Sequence, residues 1–259
     1  MLNTRVIPVL LLRDGGLVKG SQFQNHKYVG DPINAIKIYN EKEVDELIFL
    51  DISATRKGCD IDFDLIASMA SEAFMPLGYG GGIHSVDQIR KLFSLGMEKV
   101  IINSSAFHDP TLISKASALA GAQSIVVSMD VKKTLLGGYE VYVENATRRT
   151  KINAVDYAKK MQDLGAGELI VCSINNEGTA NGYDIKLLES VSSVVNIPVV
   201  ALGGAGKIQD FVKVISKTDV SACAAGDLFT FYGKHKAVLI TYPEYDEISK
   251  FFKEGNDKK

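Results

Sequence analysis

VDELIFLDIS, residues 44–53, decides the fold because the chain contains it twice: AGELIVCSIN, residues 166–175, repeats it in the second half. Working outward, LGYGGGI (77–83) returns as VALGGAGKI (200–208), and SIVVSMD (124–130) answers the N-terminal RVIPVLLL. Most of these runs are short, apolar and β-branched, as expected of strands buried on both faces of a parallel sheet. The same pattern predicts strands at about 5–11, 46–52, 76–80, 98–103, 124–130, 168–173, 197–202 and 219–225. Amphipathic stretches between them predict helices over Pro32–Lys42, Phe63–Ala73, Val86–Leu95, Pro110–Ala120, Ala154–Leu164, Ile185–Val195 and Ile208–Ser216. Asp31-Pro32 and Asp109-Pro110 each offer an N-cap followed by proline at the first helical position, and Gly96 and Gly165 follow the helices they end.

Eight strands alternating with helices over roughly 250 residues is the pattern of an α/β (β/α)8 TIM barrel. The two-fold repeat fits closure by two half-barrels, about 1–122 and 123–250. An open doubly wound sheet explains the repeat less well, and no G-x-G-x-x-G follows the first strand. Residues 1–250 are therefore expected to form one barrel domain, with a β-hairpin inserted at about 132–151 that turns at Gly137-Gly138, and a polar tail at 251–259.

A net charge of −2 gives no electrostatic reason to expect nucleic acid or an anionic membrane as partner. The apolar run Val6–Leu12 is far shorter than the roughly 20 residues of a membrane span, and no small-residue cleavage site follows it. Three scattered cysteines (Cys59, Cys172 and Cys223) show neither zinc spacing nor a disulfide framework. The expectation is a cytoplasmic protein without a cofactor. The four histidines have no metal-ligand spacing, and no G-x-x-x-x-G-K-[ST] loop is present to hold a nucleotide.

Active sites of such barrels form at the C-terminal ends of the strands. There, Gly80-Gly81-Gly82 and Asn103-Ser104-Ser105 make one candidate anion cradle, and Gly203-Gly204 with Ala225-Gly226 make a second. The competing reading is that these glycines only form tight strand-to-helix turns. The second cradle is compromised: Leu202 offers no donor, and Asp227 sets a carboxylate where an anion would sit or caps a short helix. Asp130 ends an apolar strand as a candidate acid/base, and its counterpart in the repeat is Leu11. Asp51 ends the second strand, and Glu177 lies in the loop Asn175-Asn176-Glu177-Gly178-Thr179 as a second possible acid/base. Lys19, in a glycine-flanked loop after the first strand, is placed to reach a substrate anion. For Asp130 the alternative is a carboxylate capping its own loop, and for Lys19 a solvated side chain.

At the opposite ends of the strands, Arg5, Glu46, Lys99 and Glu168 open strands one, two, four and six. Four charges of alternating sign are able to close a ring around the axis. Because burying such a ring is costly, it points to a plug or gate, against the simpler reading of scattered surface charge.

RVIPVLLLRDGGLVKG, GDPINAIKIYNEKEVDELIFLDI, GGGI, KVIINSSA, VVSMD, NEGTANGYD and GGAGK together resemble the cyclase subunit of imidazole glycerol phosphate synthase over nearly the whole length. The resemblance implies a TIM barrel whose N-terminal face receives a glutaminase subunit. Ammonia then travels down the axis, past a gate matching Arg5, Glu46, Lys99 and Glu168, and Glu98 matches an acidic residue facing the partner. It also implies a substrate carrying two phosphates, with Leu202 in place of a serine of the second phosphate site and Asp227 interrupting that site; the substrate- and phosphate-binding candidates are then Lys19, Asp51, Gly81, Gly82, Asn103, Ser104, Gly178, Gly203, Gly204, Ala225 and Gly226. Of the family's two catalytic aspartates, Asp130 matches one; the other is Leu11 here, and Glu177 replaces a loop aspartate. With the gate matched and the mouth altered, the chain is similar to a second branch of the family, found with surface-polysaccharide genes. That branch implies amidination of a sugar N-acetyl group with a glutaminase-like subunit and a separate sugar amidotransferase. Two readings compete with it: ordinary imidazole glycerol phosphate synthase, and a non-catalytic ammonia conduit.

Overall fold

Strand β1 (Arg5–Arg13) sits between two parallel neighbours, β4 (Leu47–Asp51) and β12 (Ala222–Ala225). From β4 the parallel pairing continues through β5 (Leu77–Gly80), β6 (Lys99–Ile102), β7 (Ile125–Lys133), β10 (Glu168–Ser173) and β11 (Val199–Leu202) back to β12. The eight strands therefore close into a parallel (β/α)8 barrel, and no edge is left among them. The computed structural model describes residues 4–54, 60–233, 235–244, 247–248 and 251–252; Cys59 and nearly all of the polar tail (253–259) lie outside the described residues.

Helices α1 (Pro32–Glu41), α2 (Phe63–Glu72), α3 (Val86–Ser94), α5 (Thr111–Ala120), α6 (Ala154–Asp163), α7 (Ile185–Ser192) and α8 (Ile208–Lys217) return the chain between strands; short α4 (Ser104–His108) and α9 (Asp227–Thr230) begin directly after β6 and β12. Side-chain caps fix where several begin. Asp31 accepts from Asn34 N at 2.9 Å, and Ser85 with Gln88 forms a capping box. The apolar faces of these helices and the outward faces of the strands make the larger core, with Tyr39, Phe49, Tyr79, Tyr157 and Phe211 fully buried. A second core fills the inside of the barrel, where Ile7, Val9, Ile48, Ile101, Val126, Ile170, Val200, Ala222 and Ala224 meet. Position-two alternation sends Arg5, Ile7, Val9 and Leu11 inward along β1. Strand β5 presents only Gly78 and Gly80 there, since a Cβ on Gly78 would lie 3.0 Å from Ile101 Cδ1 and 3.1 Å from Ile48 Cγ1.

Two excursions differ from expectation. The segment after β1 is not a loop but a hairpin, β2 (Gly16–Ser21) and β3 (Gln24–Gly30), joined to β1 through Asp14-Gly15, both at positive φ. The insertion after the fifth barrel strand is a three-stranded meander. β7 itself runs out to Lys133, turns through 134–138, and pairs with β8 (Tyr139–Val143), which pairs with β9 (Arg148–Asn153).

Candidate functional site

Both excursions rise from the C-terminal ends of the strands and build the walls of one large cavity, about 1040 Å³. Strand ends supply its floor: Leu11, Leu50, Ile101, Ser128, Asp130, Cys172 and Leu202. The β2–β3 hairpin adds Lys19, Gly20, Phe23 and His26, and the turn between β8 and β9 adds Asn145 and Thr147.

Asp130 is the most deeply buried carboxylate on the cavity lining among the described residues, only 7% exposed. Asn103 Nδ2 donates to its Oδ2 at 3.0 Å and to Ser128 O at 3.1 Å, so the amide holds the carboxylate in place. Burial pushes the Asp130 carboxyl up to about 7; Asn103 works against this and the Glu177 charge adds to it. Near neutral pH the group is thus divided between its acid and base forms, as acid/base exchange requires. Leu11, on the same wall, has nothing to exchange.

Above the floor, Lys19 Nζ is ion-paired to Glu177, and both are largely buried. Burial opposes the Lys19 charge, but attraction from Glu177, helped by Asp227, outweighs it and holds the ammonium above its usual range. The hairpin tip is fastened to the same loop. Gln22 N donates to Glu177 O at 2.9 Å, and Gln22 Nε2 donates to Asn175 O at 2.8 Å. Gly178 fits under the hairpin because a Cβ there would lie 2.5 Å from Gly20 O.

The remaining sequence candidates divide into two groups. Asp51, Gly81, Asn103, Ser104 and Gly226 reach the cavity wall with Lys19, Asp130 and Glu177; Gly82, Gly178, Gly203, Gly204 and Ala225 do not. Asp51 is committed to its own loop, accepting from Ser53 N at 2.7 Å, Ser53 Oγ at 2.6 Å and Ala54 N at 3.3 Å. Several glycines have a packing reason: a Cβ would meet Asp51 O at 2.3 Å from Gly81, Ser173 O at 2.9 Å from Gly203 and Gly182 O at 2.2 Å from Gly204. Asp227 does not cap α9. Gly226 occupies that position, and the Asp227 carboxylate pairs with Lys236 at 3.0 Å. Sequence reasoning missed Arg13, Phe23, His26, Asn145 and Thr147 as wall residues. Among the described residues no cluster suits a metal ion, and no helix is long and apolar enough to cross a membrane.

At the other end of the barrel, the four strand-opening charges meet across the axis. Arg5 Nη1 lies 2.5 Å from Glu46 Oε2 and its Nη2 pairs with Glu168; Lys99 Nζ lies 2.9 Å from Glu46 Oε2 and 2.7 Å from Glu168 Oε2. The ring is closed, alternating and electroneutral, and both carboxylates are buried. Burial acts against the Arg5 charge, but Glu168 and Glu46 raise its affinity for the proton. Glu98 is exposed on the same face. Between ring and cavity lie the apolar side chains of the inner core, with Ser128 at its upper edge.

Comparison with known proteins gives this geometry a family. Residues 5–236 match the family described as histidine biosynthesis protein. A Pseudomonas aeruginosa protein provisionally named imidazole glycerol phosphate synthase subunit hisF2 is 49% identical over 248 residues, covering 96% of this chain and 99% of the relative. One from Leptospira interrogans, provisionally named as subunit HisF of the same synthase, is 45% identical and covers 97% and 100% of the two chains. The imidazole glycerol phosphate synthase subunit HisF of Alkaliphilus metalliredigens is 40% identical, covering 89% and 92%. With matches of this extent, the chain belongs to the histidine biosynthesis protein family, among the HisF-type subunits of imidazole glycerol phosphate synthase.

Proposed function

We propose that this barrel is the ammonia-using subunit of a glutamine-dependent complex. A glutaminase docks on the N-terminal face around Glu98 and releases ammonia at the Arg5–Glu46–Lys99–Glu168 ring. The ring acts as a gate that opens to let ammonia pass. Beyond it the apolar lumen admits neutral ammonia and disfavours ammonium, whose desolvation is costly. At the mouth an acceptor receives the nitrogen, and Asp130, held by Asn103, moves the proton. The observation that carries this reading is the pairing of a closed charge ring at one end with a deeply buried floor carboxylate, Asp130, raised toward neutrality by burial, at the other.

The acceptor best supported is a sugar undergoing amidination, with a separate amidotransferase as a third partner. Leu11 is the reason. Two-carboxylate cyclisation chemistry lacks one of its proton carriers here, a loss worth about 10²–10⁴ in rate. The second reading, imidazole glycerol phosphate formation, is favoured by the names of the relatives, and requires Glu177 to supply the missing exchange although it is bound to Lys19.

Complementation of a histidine auxotroph separates the two: growth overturns the amidination reading, and no growth from well-expressed protein supports it. Incubating the purified chain with labelled ammonium and candidate acceptors tests catalysis itself. Label in a product excludes a mere conduit.

A further inference from the structure

The net charge of −2 conceals an uneven distribution. Three excursions stand at the mouth end of the barrel: the β2–β3 hairpin, the β7–β8–β9 meander, and a small hairpin of β13 (Phe231–Tyr232) and β14 (Ala237–Val238) that follows α9. In that last hairpin Lys236 pairs with Asp227 and lies 3.4 Å from Gly178 O, which fixes it to the mouth. Residues 16–30, 132–153 and 231–240 hold nine lysines and arginines against two glutamates, a net of +7, so the rest of the chain carries −9. Both glutamates are engaged within the meander, Glu140 with Arg149 and Glu144 with Arg148. Lys132 and Lys133 are exposed and have no ion pair among the described residues. Elsewhere at this end Asp31, Asp62, Asp109 and Asp184 are engaged at the starts of their own helices, and Asp14 stands at the foot of the first excursion.

Exposed apolar side chains follow the same distribution. Among the described residues Tyr28, Leu135, Leu136, Tyr232, Val238 and Leu239 are large, apolar and exposed, and all six lie on these excursions; Phe74, before β5, and Leu119, in the last turn of α5, lie toward the other end. Leu135 and Leu136 are fully exposed at the β7–β8 turn. That turn is closed by Thr134 N donating to Gly138 O at 2.8 Å and Gly137 N to Thr134 O at 3.0 Å. At its base Lys133 N donates to Asn175 Oδ1 at 3.0 Å, tying the finger to the loop after β10. The tip is therefore ordered in advance, with Lys132 and Lys133 as a basic collar behind it. A single exposed leucine is ordinary, but a leucine pair at a turn tip with a lysine collar suits the boundary between lipid headgroups and acyl chains.

We propose that this end of the barrel docks on an anionic lipid surface: Leu135 and Leu136 enter the headgroup–acyl boundary, and Lys132 and Lys133, with the other basic residues of the excursions, meet the lipid charge. Shape and charge select this occupant. The apolar side chains stand on separate excursions and at a convex turn tip, and a bilayer receives them without a matching surface, which a protein would have to supply. Anionic lipid attracts the basic excursions and repels the acidic remainder, so the charge distribution orients the approach. Among the described residues no helix is long and apolar enough to cross a membrane, and none is needed for a peripheral, reversible contact. This inference goes beyond the ammonia-using reading and does not depend on it.

The test is co-sedimentation of the purified full-length chain with vesicles of phosphatidylcholine, alone or with about one third phosphatidylglycerol, at about 0.1 M salt. A two-leucine tip with a basic collar is comparable with a single acyl anchor, so half-binding is expected at about 0.1–1 mM lipid on the anionic vesicles, with none on the neutral ones. Each lysine near an anionic surface is worth about fivefold, so Lys132→Gln/Lys133→Gln should weaken binding by about tenfold or more, and Leu135→Ser/Leu136→Ser by about tenfold or more. Both variants should melt as wild type does, and Phe74→Ala, toward the opposite end, should bind as wild type does. The inference is overturned by no sedimentation at about 2 mM anionic lipid, by equal binding to neutral vesicles, or by full binding of the leucine variant. A dimer that Leu135→Ser/Leu136→Ser dissolves, seen by analytical ultracentrifugation, also overturns it and assigns the tip to a second copy of the chain. None of these results bears on ammonia delivery, which the labelled-ammonium assay tests separately.

Discussion

Lys99→Met breaks the charge ring, and the structure sets the size of the effect. Lys99 is held 2.9 Å from Glu46 and 2.7 Å from Glu168, and the two glutamate side chains are only 4% and 5% exposed. Its removal leaves Arg5 alone between two buried carboxylates, an excess of one negative charge. Stripping one partner from a buried ion pair costs about 3–5 kcal/mol. The Lys99 side chain is 18% exposed, so water reaches the site and the low end applies, about 3 kcal/mol. The ring already carries one strained account: Glu46 Oε1 is buried without a hydrogen-bond partner. Adding Glu46→Gln to Lys99→Met restores neutrality around Arg5 and Glu168, and should recover about 1–2 kcal/mol of the loss. Urea unfolding of wild type and both variants measures this, provided the slopes agree. A loss below about 1 kcal/mol, with the double variant no better than the single, would mean the four charges behave as a solvated surface network and seal nothing.

Three further outcomes are expected. The Asp130 carboxyl, raised from 3.8 to about 7, contributes stability that is present below about pH 4 and lost as pH rises through 7. Asp130→Asn should therefore gain on wild type by up to about 4 kcal/mol at pH 8 and by nothing at pH 4, read from urea midpoints at the two pH values; an equal difference at both would contradict the buried, proton-sharing carboxylate. Gly178→Ala forces a Cβ into Gly20 O at a φ of +70°. It should cost about 1–3 kcal/mol and loosen the β2–β3 hairpin, seen as faster proteolysis within residues 16–30; unchanged protection would show that the hairpin does not depend on this contact. Leu135 and Leu136, fully exposed at the β7–β8 turn, should tolerate Leu135→Ser/Leu136→Ser within about 0.5 kcal/mol in thermal unfolding.

The barrel was legible because its strands state their own environment. Runs such as LIFLD and LIVC have no polar face, and only a sheet covered on both sides buries them. The repeat then supplied the count and closure. The β2–β3 hairpin was half-signalled: Asp14-Gly15 is a strong hairpin dipeptide, yet it reads equally as the end of a strand. The tip, Gln22-Phe23, has positive φ at both residues without a glycine, so nothing local announces it; its bonds to Asn175 and Glu177 hold it. The same is true of Glu144, Asn145 and Ala146, three successive left-handed residues that bring Asn145 to the cavity. Asp130 was identifiable as a polar residue ending an apolar strand. Asn103 as its holder was not, because the two are 27 positions apart and meet only through the pairing of β6 and β7.

Sequence alone determined the fold class, the family and the presence of a carboxylate at one strand end where the repeat allows two. The fold class and the lone carboxylate follow from local apolar patterning and the internal repeat, and the family follows from the matched motifs. Tertiary structure alone decided which charges are partners: that Lys19 is spent on Glu177, Asp227 on Lys236, and Lys99 on two glutamates at once, while Arg13 remains unpaired among the described residues. Electrostatics acts through space over a few ångströms, and only closure of the barrel brings residues 5, 46, 99 and 168 within that range.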